Sequence, residues 1–410
     1  MIMEEWKEYK LGDFMEFNPK IKLAKNTLAR KITMDQLIPH CRDIHSWTYE
    51  PYSGGAKFEN GDTIMARITP CLENGKHAYI SCLDKGEVAY GSTEYIVIRG
   101  RKDISDNAFV YYLSHFPDFK NAAIKSMVGS SGRQRAQVDV LESITMALPS
   151  LEEQRIIAKF LSSLDDKIEV NRRINENLEQ QAQALFKSWF VDFEPFKNQP
   201  FVESELGMIP QGWRVGSLDD VCCFISRGLT PKYDESSDEL ILGQTCVRNN
   251  IVTLNNARRH RPKCKTEKWV QQWDVLLNST GIGSLGRVGV VYFKMDNVAI
   301  DSHITVVRTS KPLYKHYVGR NLLSRQLEIE NMAVGSTGQT ELPRDRVKAL
   351  PIIIPSGDVL GKFNDIIEPI ALQMYRNLDE SRRLAELRDA LLPRLMSGEL
   401  KVNDLENNEI

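Results

Sequence analysis

Hydrophobic residues recur every three or four positions along a tract from Leu151 to Phe190. This 3.5-residue period is typical of a helix that packs lengthwise against another helix, as in a coiled coil. Ser150 and Glu153 form a capping-box pattern, which predicts that the helix begins just after Pro149. Two asparagines interrupt the apolar series of this seam, whose positions are Leu161, Leu164, Ile168, Asn171, Asn175, Leu178 and Leu185.

A second tract repeats the seam 206 positions later, so that Ile370 corresponds to Leu164. Proline breaks a helix interior but is tolerated in the first turn, so we predict that this helix begins at Pro369 and ends near Met396. Two helices with matching seams most simply pair antiparallel, as a rod with a domain at each end; the alternative is that these are exposed positions on separate amphipathic helices. The second seam consists of Ile370, Met374, Asn377, Ser381, Leu384 and Leu391.

Outside these tracts the chain is rich in predicted strands. The stretches Met1–Ser150 and Gly207–Ser356 hold short runs of Val, Ile and Tyr between Gly, Pro and Asn residues. Shorter helices are predicted inside them, near Ala108–Ser126 and Tyr314–Met332. The pattern therefore predicts an α+β protein with two mixed, β-rich domains and two long helices.

Similar segments occur in the same order in both halves of the chain. Val128-Gly129-Ser130-Ser131-Gly132 matches Val334-Gly335-Ser336-Thr337-Gly338, and Leu148-Pro149-Ser150 matches Ile354-Pro355-Ser356. Such a long period indicates the duplication of a whole domain with its connector, and hence an internal pseudo-two-fold repeat. The predicted boundaries are 1–150 for the first β-rich domain, 151–198 for the first long helix, 199–356 for the second β-rich domain, 357–402 for the second long helix and 403–410 for a flexible tail.

Composition narrows the class of protein. The 410 residues are 42% hydrophobic and 26% charged, which excludes wholesale disorder and a collagen-like chain. The seven cysteines form no C-x-x-C pair, as expected of reduced thiols. The amino terminus lacks the apolar core of a signal peptide and no apolar run is long enough to cross a bilayer, so we expect a cytoplasmic protein.

Candidate catalytic and cofactor motifs fail on their context. The glycines of Gly281–Gly286 fit a dinucleotide-binding fingerprint, but a strand is predicted after them where a helix is required. They are better explained as a tight turn between two strands. No phosphate-binding loop ending in Gly-Lys-Ser/Thr is present, and the histidines show no metal-ligand spacing. Ser302 and His303 are adjacent on a predicted strand, where neighbouring side chains point to opposite faces.

Charge is distributed unevenly although its total is only −2. The basic residues Lys20, Lys22, Lys25, Arg30 and Lys31 lie in a stretch without acids. A second cluster consists of Arg258, Arg259, Arg261, Lys263, Lys265 and Lys268. Basic loops in two related domains indicate a phosphate-binding face, with a solvated charge run as the alternative.

Over nearly its whole length the chain resembles the specificity subunits of type I restriction–modification systems. The resemblance is carried by Leu148-Pro149-Ser150-Leu151-Glu152-Glu153-Gln154-Arg155-Ile156-Ile157 and by Leu391-Leu392-Pro393-Arg394-Leu395-Met396-Ser397-Gly398-Glu399-Leu400. It extends to the run Ala66–Lys76 and to the glycine turn Thr280–Val290. The second connector, Ser356-Gly357-Asp358-Val359, departs from the pattern because it lacks Glu-Glu-Gln-Arg.

The resemblance implies a DNA-binding subunit without catalysis of its own. Each β-rich domain would be a target-recognition domain that reads one half of a bipartite, asymmetric double-stranded DNA site. The helices would be the spacer between the half-sites, on which two methyltransferase subunits dock. Restriction subunits would join them, so that the complex methylates adenines and cleaves foreign DNA in a prokaryotic cell. S-adenosylmethionine, ATP and Mg²⁺ would belong to these partners, and this chain would bind no cofactor or metal.

Arginine, lysine and glutamine side chains serve phosphate contacts and base readout, and we single out those in the basic stretches and glycine loops. The candidates in the first domain are Lys20, Lys22, Lys25, Arg30, Lys31, Arg67, Lys76, Arg133, Gln134 and Arg135. Those in the second are Arg248, Arg258, Arg259, Arg261, Lys263, Arg287 and Gln339. Glycines 129, 132, 335 and 338 would permit close approach of the backbone to DNA.

Other classes of function stay open at this point. A two-headed protein- or carbohydrate-binding rod with a coiled-coil spacer would explain the repeat but not the basic loops. A stand-alone enzyme would need a catalytic motif, and a purely helical scaffold would leave most of the chain unexplained.

Overall fold

The computed structural model describes residues 6–130, 132–261, 268–281, 283–335 and 340–402. It divides into two compact units. The first unit combines Met1–Asn171 with Glu380–Ile410, and the second unit is Arg172–Asp379. Both units mix sheet and helix, as the sequence pattern predicts.

Among its described residues, the first unit has ten strands and four short helices besides its long-helix segments. The strands are β1 (Lys7–Lys10), β2 (Met15–Phe17), β3 (Leu28–Ile32), β4 (Thr48–Pro51), β5 (Lys57–Phe58), β6 (Thr63–Ala66), β7 (His77–Tyr79), β8 (Ala89–Gly91), β9 (Tyr95–Gly100) and β10 (Thr145–Leu148). The helices are α1 (Leu11–Phe14), α2 (Asn107–His115), α3 (Pro117–Lys125) and α4 (Val138–Ser143).

Two four-stranded sheets share the core of this unit. One has the strand order β2-β9-β6-β7 and is antiparallel, and the other has the order β4-β3-β8-β5 with β3 and β8 parallel. Strand β6 is buried on both faces. Its side chains alternate between the two faces, so neighbouring residues pack against different parts of the unit. Ile64 packs with Ile32 and Phe58 of the other sheet, whereas Met65 packs with Phe109 of α2. Strands β1 and β10 form a separate antiparallel pair.

The described part of the second unit contains thirteen strands and three short α-helices. The strands are β11 (Phe201–Ser204), β12 (Gly207–Pro210), β13 (Arg214–Ser217), β14 (Cys222–Arg227), β15 (Leu240–Leu242), β16 (Val247–Arg248), β17 (Asn250–Val252), β18 (Arg258–Arg259), β19 (Val275–Asn278), β20 (Val288–Val290), β21 (Val298–Ile300), β22 (Ile304–Thr309) and β23 (Pro351–Ile354). The helices are α6 (Lys315–Ser324), α7 (Gln326–Asn331) and α8 (Arg344–Lys348).

Strand order shows that the second unit repeats the first. Its larger sheet, β14-β22-β19-β20-β17-β16, begins with the same four-strand arrangement as β2-β9-β6-β7. Its smaller sheet, β18-β15-β21, combines one antiparallel and one parallel pair as β4-β3-β8 does. The pair β13–β23 repeats β1–β10, and the hairpin β11–β12 has no counterpart among the described strands of the first unit.

The two shorter predicted helical stretches are confirmed, and each is divided in two. Phe116 separates α2 from α3 because the residue before a proline disfavours the helical conformation and Pro117 then opens the next helix. In the second unit Arg325 separates α6 from α7.

Two helices of 40 residues, α5 (Leu151–Phe190) and α9 (Gly357–Met396), each contribute one segment to each unit. The prediction that the second helix begins at Pro369 is wrong, because α9 runs through that residue. An interior proline costs roughly 3 kcal/mol. The turns before it bury Leu360, Phe363 and Ile367 in the core of the second unit, and this packing outweighs the local penalty.

Within each unit the segments of α5 and α9 run antiparallel. In the first unit Asp165 meets Arg388, and Asn171 meets Ser381, which is seven residues earlier on α9. In the second unit Asn377 donates to Asn175 over 2.8 Å, and Phe186 packs edge-on against Phe363. The contacts therefore ascend along α5 while they descend along α9.

Candidate nucleic-acid interface

Three lysines lie in the loop between β2 and β3 of the first unit. Lys20, Lys22 and Lys25 are exposed, and none of them forms an ion pair or side-chain hydrogen bond with the residues that the structure describes. We call them the loop lysines. Their charges are left to solvent and are suited to phosphate oxygens, which bind lysine as a point charge.

The two basic residues of β3 are occupied within the protein. Arg30 is buried, donates to the hydroxyl of Tyr49 over 2.8 Å and forms an ion pair with Asp84 over 2.9 Å. Its guanidinium also lies 4.7 Å from the ring centroid of Trp47. Lys31 points to the other face of the strand and binds Glu50 over 2.8 Å, a bond that lowers the pKa of that carboxyl. Strand alternation thus removes Arg30 from the basic surface that its sequence neighbours suggest.

The glycine loop of the first unit folds onto the segment that follows β6. Residues Ile68 and Val128 both pair with Arg135, whose guanidinium binds both carboxylate oxygens of Glu94, the shortest bond being 2.6 Å. Arg67 donates to the carbonyl of Ala136 over 3.0 Å. The structure therefore brings candidates of this loop together, but part of their charge is neutralised.

Arg133 and Gln134 lie in the same glycine loop, and Lys76 follows at the end of the neighbouring segment. Arg133 is exposed, with no side-chain partner in the described part of the chain. The carbonyl of Gln134 accepts a bond from the Thr69 amide at 3.1 Å, and the Lys76 ammonium donates to the carbonyl of Met34 over 2.7 Å. Of these three candidates, Arg133 presents the uncompensated charge.

The glycines of this loop serve the loop itself. Gly129 has φ of 140°, and a Cβ atom there would lie 2.8 Å from the carbonyl oxygen of Arg133. The close approach at Gly129 is thus between parts of the same loop. A Cβ on Gly132 would meet nothing within 4 Å, although its φ of 77° favours glycine. Gly335 has φ of 127°, and Gly338 lies outside the described residues.

The three arginines of the second basic cluster, Arg258, Arg259 and Arg261, lie on and just after β18. Arg259 donates to the carbonyl of Ser237 over 2.6 Å, and Arg261 binds Asp234 over 3.0 Å. Bonds from Ser236 and from Arg261 lower the pKa of Asp234, which keeps this carboxylate ionised. Arg258 differs from its neighbours, since its guanidinium carbon lies 3.4 Å from the ring centroid of Tyr233.

The remaining candidates of the second unit are dispersed. Arg248 is exposed on β16, without a side-chain partner among the described residues. Arg287 donates to the carbonyl of Gly283 over 2.7 Å. Lys263 and Gln339 lie outside the described residues, as does Lys265.

Sequence reasoning did not single out Tyr233 or the neighbouring Lys232. Both are exposed in the segment between β14 and β15, which corresponds to the segment of the loop lysines between β2 and β3. The internal repeat could have identified them, because their segment corresponds to the one that carries the loop lysines. An aromatic residue next to a lysine in such a segment is a candidate for stacking on a base or on an arginine.

The seam of the long helices is covered in both units. None of its thirteen positions is exposed, and Leu161, Asn171, Met374, Asn377 and Leu391 are buried. Asn171 donates to Glu380 over 2.8 Å, and Asn175 donates to the carbonyl of Met374 over 3.1 Å. The polar seam residues thus bond across the helix pair within each unit, which specifies the register. The half-buried positions are Leu164, Ile168, Asn175, Leu178, Leu185, Ile370, Ser381 and Leu384.

Other chemistry considered from the sequence is resolved by local geometry. The glycine motif Gly281–Gly286 lies between strands β19 and β20, so it does not open a helix. The hydroxyl of Ser302 donates to Asp301, whereas the ring of His303 bonds the hydroxyl of Thr280. The described residues contain no group of three or more His, Cys, Asp or Glu side chains that could hold a metal ion. None of the helices described is long and apolar enough to span a membrane.

Sequence comparison relates the chain to one set of proteins. The family model "Type I restriction modification DNA specificity domain" matches residues 3–180. The type I restriction enzyme MjaIX specificity subunit of Methanocaldococcus jannaschii is 32% identical over 317 residues, which are 74% of this chain and 71% of that protein. The HindI specificity subunit of Haemophilus influenzae is 24% identical over an alignment that covers 97% of this chain and 100% of that protein.

Structural comparison supports the same architecture. The S subunit of a type I restriction–modification system from M. genitalium superimposes with a TM-score of 0.56 at 14% identity. The alignment covers 95% of this chain and 96% of the other. Because the identity is only 14%, the similarity concerns the fold alone, which combines sheets and short helices with long helices.

Proposed function

Since this chain belongs to the specificity subunits of type I restriction–modification systems, we propose that it is the DNA-reading subunit of such a system and reads a bipartite, asymmetric site. The observation that carries the proposal is a repeat with unequal charges. Both units share a four-strand arrangement in the larger sheet and a three-strand arrangement in the smaller one, yet they expose different basic side chains beside the smaller sheet. A duplicated scaffold with different contact residues is what two different half-sites require.

The two units expose different basic groups here: three lysines in the first unit, and a lysine beside a stacked arginine in the second. The loop lysines precede β3, whereas the equivalent segment of the second unit carries Lys232 and Tyr233 and lies beside Arg258. Lysine binds phosphate without directional preference, and arginine offers a planar fork that matches a guanine edge. The two units therefore contact DNA through different chemistry, and total charge says little about either.

In this proposal the long helices are the spacer between the half-sites, and two methyltransferase subunits dock on them. Exposed apolar side chains on both helices support a protein partner, because such side chains gain by burial. Those on α5 are Ile156 and Val170 in the first unit and Ile174 in the second. Those on α9 are Ile366 in the second unit and Leu387 in the first.

Catalysis belongs to the partners. Adenine methylation would be carried out by the methyltransferase subunits with S-adenosylmethionine, and ATP- and Mg²⁺-dependent cleavage by the restriction subunits. This chain positions them by binding the site. Its candidate recognition domains are residues 1–150 and 199–356, with the helical segments 151–198 and 357–402 between and after them.

Exchange of one recognition domain tests the proposal directly. Residues 199–356 are replaced by the corresponding segment of a relative, the chain is co-expressed with its methyltransferase subunits, and methylated adenines are mapped by sequencing. We expect the original chain to direct methylation to one bipartite site, and the exchange to change one half-site only. Absence of DNA binding and of methylation in the complete complex would contradict the proposal and favour a rod that binds protein or carbohydrate.

A further inference from the structure

Residues 232–242 and 258–261 of the second unit, which we call the small lobe, carry Arg258, Arg259 and Arg261. The segment before β15 lies antiparallel to the segment that includes β18, with a bridge between Tyr233 and His260. The amide of Arg261 donates to the carbonyl of Lys232 over 2.8 Å. Beneath this contact the ring of His260 bonds Glu239, and both side chains are buried. The two segments of the lobe are therefore joined by backbone hydrogen bonds and by one buried polar side-chain pair.

Within this lobe the three arginines have different tasks. Arg259 lies 3.6 Å from Asp238 in addition to its bond to Ser237, and Arg261 is paired with Asp234. These two guanidinium groups therefore close the lobe onto its own acidic segment. Arg258 is exposed, and no carboxylate or carbonyl of the described residues binds its guanidinium.

The ring of Tyr233 determines how Arg258 is presented. The guanidinium carbon lies 3.4 Å from the ring centroid, and Tyr233 is itself 47% exposed. Stacking covers a face of the guanidinium and restricts its rotation, while the N–H donors at its edge stay available. A planar donor pair held in this way is suited to a partner with two acceptors in one plane.

We infer that Arg258 reads a guanine in the half-site of the second unit, and that Tyr233 is its positioning residue. In the major groove the N7 and O6 atoms of guanine are two in-plane acceptors, and a bidentate arginine is the most common specific contact to them. A phosphate offers acceptors as well, but it needs neither a fixed plane nor the stacking. This inference rests on the proposed function and adds the residue that supplies base specificity.

Conservative variants separate base reading from phosphate binding. Arg258→Lys keeps the charge but loses the planar fork. Tyr233→Phe keeps the stacking ring, and Tyr233→Ala removes it. Arg344→Lys is the matched control, because Arg344 is also exposed in the second unit but is paired with Asp345. Each variant is assembled with its methyltransferase subunits, as the original chain is.

The measurement is equilibrium DNA binding to the mapped site and to a set in which each base pair of the second half-site is changed in turn. We expect Arg258→Lys to lower discrimination at one G·C pair by about 5- to 150-fold and to leave the other positions unchanged. Tyr233→Ala should reduce discrimination at the same pair, while Tyr233→Phe and Arg344→Lys should retain it. The dependence of affinity on salt should stay close to that of the original chain, since no phosphate contact is lost.

The outcomes distinguish this inference from the proposed function. If the original complex binds a specific site but Arg258→Lys discriminates as before, Arg258 does not read a base and the inference is overturned. The same holds if Arg258→Gln weakens binding to all sequences equally and lowers the salt slope by about one, which is the signature of a phosphate contact. If the original complex shows no site-specific binding at all, the proposed function itself fails.

Discussion

Asp165 is buried in the first unit between α5 and α9. One carboxylate oxygen lies 2.5 Å from the guanidinium of Arg388, and the other accepts a bond of 2.6 Å from the hydroxyl of Tyr112. Both charged side chains are less than 9% exposed. Burial, together with the nearby carboxylate, raises the pKa of Tyr112, so its phenol remains a donor at neutral pH.

Removal of Asp165 leaves the buried Arg388 guanidinium with the carboxylate of Asp389, whose side chain is 58% exposed and which compensates the charge only in part. We expect Asp165→Ala to lower the free energy of unfolding of the first unit by about 3–5 kcal/mol, because the Arg388 guanidinium loses its buried partner. That is a large fraction of the roughly 5–15 kcal/mol that stabilises a typical domain. Asp165→Leu combined with Arg388→Met removes both charges and should restore most of the loss. The coupling energy between the two positions should be about 2–3 kcal/mol.

Hydrogen exchange measured by mass spectrometry on the complete chain gives the local free energy of opening for α2 and α9. Asp166→Ala is the matched control, since Asp166 is the next residue on α5 but its side chain is 66% exposed in its pair with Arg42. This control should change stability by about 1 kcal/mol or less. The reasoning from burial would be refuted if the effects of Asp165→Leu and Arg388→Met were additive. It would also be refuted if Asp165→Ala lowered the free energy of unfolding by less than about 1 kcal/mol.

Three further predictions concern charge, helix length and the interior proline. Changing the loop lysines to glutamine should lower DNA affinity at every sequence and reduce the salt slope by about 2–3, as filter binding at several salt concentrations would show; an unchanged slope would exclude phosphate contacts there. One heptad inserted in each long helix, after Asn171 and after Asp379, adds about 10.5 Å and should lengthen the tolerated DNA gap by about three base pairs without changing the half-site bases. Methylation mapping checks this, and altered half-site bases would count against a spacer. Pro369→Ala should stabilise the second unit by about 1–3 kcal/mol in urea unfolding, because Pro369 is exposed and alanine restores a backbone donor; a loss of stability would show that the proline ring is needed for packing.

The asparagines of the seam explain how two similar helices keep one alignment. Within the second unit the amide nitrogen of Asn377 donates to Asn175 on the other helix. Its amide oxygen accepts a bond of 2.8 Å from Gln373, four residues earlier on α9. A shift of α9 along α5 by one heptad would place Asn377 against an apolar side chain and would break its bond to Asn175. Such a loss costs about 1–3 kcal/mol per buried polar group, which disfavours other registers.

The candidate site shows how far local patterns extend. Charge clustering selected segments that contain exposed basic residues, among them the loop lysines and Arg258. It could not separate them from Arg30, because burial of that residue depends on β4 and on Asp84, which lies far along the chain. Likewise, Arg259 and Arg261 are adjacent to Arg258 in sequence but are held by acids from the segment before β15.

By itself the sequence determined the features that depend on neighbours in the chain. The 3.5-residue period predicted the long helices, because it depends on residues three and four positions apart. The duplicated segments predicted two units of similar topology, because similar sequences form similar elements in the same order. Tertiary structure alone decided that α9 continues through Pro369, and which arginines remain exposed and which are paired within the protein. These outcomes depend on the free energy of burial and on pairing between distant residues. Neither quantity can be evaluated until the chain is folded.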